Sequence, residues 1–167
     1  SFYYTKSKDN LKKNNINLIN KFAHSIYSLN PDIMNVLPLR CKFLPYPYKT
    51  AERIIYKDKN KNNCLNILHI PSHRGVKGTN LIIKKLENIK FHSPKMKINF
   101  KIIENVSNSI ILNEIKNYDL VIDQILVGWY GSLAVEAMSL GVPVMAYLRE
   151  EDYKFIPKEM QKDIPII

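Results

Sequence analysis

Three sets of residues in this chain have types and spacings suited to holding a phosphorylated ligand. The first is Gly128-Trp129-Tyr130-Gly131-Ser132, with Glu136 four residues further on. Glycine permits backbone angles that side chains forbid and lets a ligand approach the main chain closely. Ser132 has the side chain of a helix N-cap. Behind it Leu133, Ala137 and Leu140 recur at helical spacing, and Gly141 and Pro143 stop the helix. Such a helix start aims amide N–H groups and the positive end of a dipole above the turn, which suits an anion. The second set is Arg74-Gly75-Val76-Lys77-Gly78. Arginine offers a diphosphate a planar fork of donors, and lysine a point charge. A solvated loop in a lysine-rich chain is the competing reading. The third set is carboxylates. Glu136 can accept hydrogen bonds from both vicinal hydroxyls of a ribose; as a plain helix residue it gains only ~0.3–1 kcal/mol from the dipole. Asp123, at the end of an apolar run, is placed either to contact a ligand or to cap the turn. Trp129 and Tyr130 either stack on a ligand or plug a cleft. His69 reads as a core histidine, and His73 as a donor to a ligand oxygen.

The elements that must position these residues alternate along the chain. Apolar runs at 65–70, 98–103, 119–123 and 142–148 predict buried strands. Between them, helices start at Thr79 or Asn80 with Ile82, Leu86 and Ile89 inward, at Ser107 or Asn108 with Ile111, Leu112 and Ile115 inward, and at Ser132. Alternation of this kind gives an α/β fold, a Rossmann-like doubly wound parallel sheet with right-handed crossovers. It puts Arg74, Lys77, Asp123 and the 128–132 turn at the carboxyl edge, where such sheets bind ligands. Upstream, residues 9–23 predict a helix, 25–29 a strand, 31–37 a short helix opened by Asn30-Pro31, and 41–44 another strand. Residues 49–63 are charged and lack apolar periodicity, which marks a linker. At the other end come a charged stretch at 149–152, a short helix at 157–162 and a strand beginning at Ile164.

The stretch from Asp123 to Val144, Asp-Gln-Ile-Leu-Val-Gly-Trp-Tyr-Gly-Ser-Leu-Ala-Val-Glu-Ala-Met-Ser-Leu-Gly-Val-Pro-Val, resembles the nucleotide-sugar motif of retaining, family-4-like glycosyltransferases of GT-B fold. Pro71-Ser-His-Arg-Gly-Val-Lys-Gly-Thr79 resembles the phosphate loop of the same domain. The likeness spans residues 64–150 well and 20–50 loosely. It implies that residues 64–167 form the C-terminal, donor-binding half of a GT-B enzyme, that 49–63 join the halves, and that 1–48 are a remnant of the N-terminal acceptor domain. It assigns Arg74 and Lys77 to the leaving diphosphate as the catalytic cations, and Gly75, Gly128, Trp129, Tyr130, Gly131, Ser132, Glu136 and Asp123 to the donor. Family members carry Glu-x7-Glu; Glu136 matches its second member, and Gly128 stands where the first would be. The implied function is sugar transfer with retention from a nucleoside diphosphate to a glycan, lipid or small-molecule acceptor. The rivals are a nucleotide-sugar epimerase on the same scaffold and a non-catalytic module that binds nucleotide or docks on a membrane.

The bulk numbers fit that expectation. The chain has 167 residues, 46% of them hydrophobic, which is enough for a sizeable core. Its two cysteines have no framework or metal spacing, which points to a reducing, cytoplasmic setting. The net charge of +10 comes with an abundance of Lys, Asn and Ile, as AT-biased coding gives; no nucleic-acid-binding signature accompanies it. Peripheral contact with the anionic inner face of a membrane is the expected use of any basic patch. The chain starts at Ser1 without an apolar leader and reads as a piece of a longer enzyme, inactive in transfer by itself. No metal cluster is indicated by residue spacing, so no metal cofactor is expected. Binding of a nucleotide sugar should then be the same, by calorimetry, with and without a divalent-ion chelator; loss of binding in chelator would overturn this.

Overall fold

The computed structural model describes residues 6–47, 64–164 and 166; the expected linker over 49–63 lies outside them. Among the described residues the main body is a four-stranded parallel sheet flanked by helices, compatible with a Rossmann-like fold. Its strands are β3 (Cys64–His69), β4 (Lys97–Ile102), β5 (Leu120–Ile122) and β6 (Val144–Met145), in the spatial order β4-β3-β5-β6. A smaller parallel pair, β1 (Tyr27–Ser28) with β2 (Lys42–Phe43), lies in the N-terminal segment. That segment also contains α1 (Lys6–Phe22) and a 3₁₀ helix, Pro31–Val36.

Apolar residues on both sides of each central strand explain why helices cover both faces. Ile67 and Leu68 are adjacent in β3 and so point to opposite faces. Ile67 joins Ile122 under α3 (Thr79–His92), through Ile82 and Leu86. Leu68 joins Val121 and Val144 in the larger core, under α4 (Asn108–Ile115) and α5 (Ser132–Ser139). Ile89, expected on the inward face of α3, is 41% exposed; the buried stripe of that helix ends at Leu86. The run at 142–148 forms a strand only over Val144–Met145, opposite Val121 and Ile122 of the three-residue β5. The strand expected from Ile164 does not form at the described residues; Ile164 and Ile166 pack on the larger core instead. The charged stretch at 149–152 enters a 3₁₀ helix, Glu150–Phe155, ahead of α6 (Lys158–Lys162). No helix among the described residues is long and apolar enough to cross a membrane.

The sheet changes direction at β3. The chain steps from β3 to β4 on one side, then returns to place β5 on the other. Loops after β3 and β5 therefore diverge and leave a crevice at the carboxyl edge. His69, the last residue of β3, ties the layers together there. Its Nδ1 lies 2.7 Å from the Ile122 carbonyl and its Nε2 2.9 Å from Thr79 Oγ1. A carbonyl can only accept, so Nδ1 carries the hydrogen and Nε2 accepts from the Thr79 hydroxyl. The ring is neutral and fully buried. Burial pushes its pKa below the ordinary histidine value; the Lys77 charge adds to this, against the hydrogen bond to Ile122.

A histidine whose folded pKa lies below its unfolded one stabilises the protein fully above the unfolded value, about 6.5. That stability is lost as pH falls from there towards the folded pKa, because the unfolded chain takes up the proton first. Urea titrations between pH 7.5 and 5.5 should show stability falling on acidification, by up to about 1.4 kcal/mol per pH unit. His69→Gln should flatten that slope; an unchanged slope would contradict the role.

Candidate functional site

The loop after β3 begins with Pro71 and Ser72 and then makes a single helical turn, α2 (Arg74–Lys77), rather than the open loop expected over 71–78. His73 caps it: its Nδ1 accepts from the Val76 amide at 3.3 Å, so this ring serves the backbone. Gly78 ends the turn at φ +79°, and a Cβ there would stand 2.5 Å from Ile125 Cγ1. Both conditions demand glycine. Gly75 sits exposed within the turn.

Arg74 and Lys77 leave α2 for different environments. Lys77 is almost fully buried and pairs with Oδ1 of Asp123, which is wholly buried at the end of β5. Oδ2 of Asp123 accepts the Gly131 amide at 2.7 Å. One carboxylate thus joins the loop after β3 to the first residue before α5. Of the two readings of Asp123, the geometry matches the turn-holding one: both oxygens are engaged within the protein. Arg74 is half exposed and lies against Glu104, just past β4, with contacts of 2.6, 3.0 and 3.1 Å. This pairing holds the Glu104 carboxyl below its usual pKa.

The glycine turn is built from both ends. Gly131 takes the cap position of α5, and Ser132, expected there, is the first helical residue. Trp129 is completely buried and Tyr130 nearly so, with their rings stacked 4.7 Å apart. Phe43 and Tyr153 meet Trp129 edge-on at 6.2 and 6.4 Å. Of the two readings of this pair, the packing matches a plug between the N-terminal segment and the turn. Gln124 donates from its side chain to the Trp129 carbonyl, closing the turn from inside. Gly128 is pressed against that same segment: a Cβ would stand 3.0 Å from Arg149 Cβ and 3.2 Å from Asp32 Cβ. The space where a side chain at 128 would lie is therefore filled.

A cavity of about 390 Å³ opens at the carboxyl edge between these loops. Lys77, Ser132 and Glu136 line it, together with Ser72, Glu104 and Asn108. Glu136 Oε1 accepts from Asn108 Nδ2 at 2.8 Å, which fixes the carboxylate at the cavity wall. Lys77, Ser132 and Glu136 of the sequence-predicted set thus come together. Arg74 and Gly75 stand outside the lining, as do Asp123, Gly128, Trp129, Tyr130 and Gly131. Glu104, Asn105 and Asn108 are lining residues that sequence reasoning missed. Glu104 and Asn105 follow β4 as Arg74 follows β3, and that shared edge position was the available signal; the positive φ of Asn105, 56°, was not. A larger cavity of about 550 Å³ is lined mainly by apolar residues of the N-terminal segment and touches none of the predicted site residues. Among the described residues, no group of three or more His, Cys, Asp or Glu could hold a metal ion.

No protein-family model matches this chain, and a search of curated proteins gives no match either.

The buried pair makes the sharpest stability test. Asp123→Asn keeps an acceptor for Gly131 but leaves the Lys77 ammonium buried and uncompensated, which costs roughly 3–5 kcal/mol. Removing the stranded charge as well (Lys77→Met with Asp123→Asn) should recover much of that loss in urea denaturation, with the acceptor for Gly131 kept. A single Asp123→Asn variant as stable as the parent would show that the pair does not hold the edge together.

Proposed function

We propose that the cavity at the carboxyl edge binds a nucleoside-diphosphate sugar. On this reading the chain is the donor-binding half, one doubly wound GT-B domain, of a retaining glycosyltransferase. The observation that carries the reading is the meeting of Lys77, Ser132 and Glu136 around one cavity of nucleotide-compatible volume. Lys77 comes from one of the two motifs that the sequence resemblance marks, Ser132 and Glu136 from the other, and the cavity lies where parallel sheets take ligands. The start of α5 faces the diphosphate and Glu136 takes the ribose hydroxyls. The sugar bond to the diphosphate breaks heterolytically, so negative charge grows on the leaving phosphate. Lys77, Arg74 and the amide groups at the start of α5 oppose that charge, which is the catalytic contribution of this half. The acceptor belongs to the opposite wall, of which residues 1–48 are a part, and transfer requires the rest of that wall. The setting proposed is cytoplasmic, with the basic surface available to an anionic membrane.

Calorimetric titration with nucleoside diphosphates and their sugar conjugates tests the reading directly. A charge-assisted hydrogen bond contributes about 1.5–3 kcal/mol. Glu136→Gln should therefore weaken a ribonucleoside diphosphate about tenfold and its 2′-deoxy analogue much less. Equal losses for the two ligands would remove the ribose role, and no binding by the parent chain would remove the reading itself.

A further inference from the structure

Both cations that the sequence offers to a diphosphate are already paired inside the protein, and the two pairs differ in what can undo them. The Lys77–Asp123 pair is buried, with side-chain exposures of 11% and 0%, and its carboxylate also holds Gly131. The Arg74–Glu104 pair is open to solvent, with exposures of 49% and 30%. It also sits asymmetrically about the cavity: Glu104 lines it and Arg74 does not. An arginine in that position reaches a ligand phosphate only by releasing Glu104. Solvent weakens such an exposed pair, whereas a phosphate offers the same guanidinium fork more negative charge and more acceptor oxygens.

We propose that Glu104 is a resident competitor for Arg74: it occupies the guanidinium in the empty site and yields it to the incoming diphosphate. This rests on the reading of the cavity as a diphosphate site and adds to it a residue and a mode of regulation. The resting pair keeps Arg74 ordered at the mouth, one turn from Lys77, so the exchange replaces one bidentate partner by another. Released Glu104 stays in the cavity wall beside Asn105, where it can accept a hydrogen bond from the bound molecule. The competitor sets a threshold: an anion too weak to displace Glu104 does not recruit Arg74.

The sign of one substitution tests this. Glu104→Gln removes the competing charge with little change in shape, and both members of the pair are exposed, so the variant should melt with the parent. Its affinity for inorganic pyrophosphate, by calorimetry at fixed ionic strength, should rise about two- to fivefold, the weight of an exposed ion pair. In an Arg74→Ala background the same change should give no such gain. A loss of affinity in Glu104→Gln, with the parent still binding, would mean that Glu104 orients Arg74 productively, and would overturn the inference while leaving the site intact. An equal gain in the Arg74→Ala background would also overturn it, since removal of a nearby negative charge would then suffice. Absence of binding by parent and variant alike would remove the diphosphate site and the competitor together.

Discussion

Lys77 and Asp123 bury opposite charges at the carboxyl edge of the sheet, and the arrangement of the surrounding loops follows from that pair. Taking two ions out of water costs several kcal/mol each, and only close contact with further hydrogen bonds returns it. Asp123 meets that requirement by engaging Lys77 with one oxygen and the Gly131 amide with the other. A second tie, from the Ile125 amide to the Lys77 carbonyl at 3.3 Å, runs beside it. Four pieces of chain are fixed by these bonds: α2, the end of β5, the segment after it and the start of α5. The ion pair gives the crevice a defined shape where a parallel sheet alone would leave loose loops.

The turn is held on its other side by the N-terminal segment. Arg149 donates to Asp152 at 2.5 Å and to the Asp32 carbonyl at 2.7 Å, and Asn35 donates to the fully buried Asp152 at 2.8 Å. Burial and the neighbouring Asp152 raise the Asp32 pKa above its ordinary value. Gly128 lies between these groups, so its missing side chain is what lets the two parts of the chain close. Trp129 then fills the space behind. Its indole N–H has no partner among the described residues, which costs about 1–3 kcal/mol. Burying an aromatic ring of 150–250 Å² at ~25 cal/mol per Å² contributes roughly 4–6 kcal/mol, which outweighs it. A glycine at 128 and a tryptophan at 129 are thus two halves of one packing solution.

Much of the sheet was readable because apolar runs and helical spacing report burial directly. The runs at 65–70 and 98–103 became β3 and β4 within a residue, and the helix expected from Ser107 or Asn108 starts at Asn108. The carboxyl-edge position of Arg74, Lys77 and Asp123 followed from that alternation. Three things could not be read. Sequence gives residue type but not partner, so the pairing of Lys77 with Asp123, 46 residues apart, was invisible. Ser132 has better capping chemistry than Gly131, yet the helix begins one residue earlier than that preference predicts, with Gly131 at the cap and its amide held by Asp123. Glu104 belongs to no motif and Asn108 read only as a candidate helix cap; strand order is what brings the end of β4 beside α5.

These missing partners change the electrostatics of the site. Counted as residue types, the loop after β3 looks cationic. Counted as placed groups, Arg74 and Lys77 face Glu104, Asp123 and Glu136, so the resting site has no surplus of positive charge. On the proposed reading, attraction of an anion comes from dipoles and from whichever cation can change partner. At an effective dielectric near 20, charges 4 Å apart interact by about 4 kcal/mol, against about 1 kcal/mol in water. Lys77 sits close to the first regime and cannot leave Asp123 without stranding a buried carboxylate. Arg74 sits close to the second and can. On the proposed reading the two cations of one helical turn divide the work: Lys77 keeps the crevice in shape, and Arg74 is the charge whose partner can be exchanged. Burial alone separates two residues that the sequence presented as equivalent.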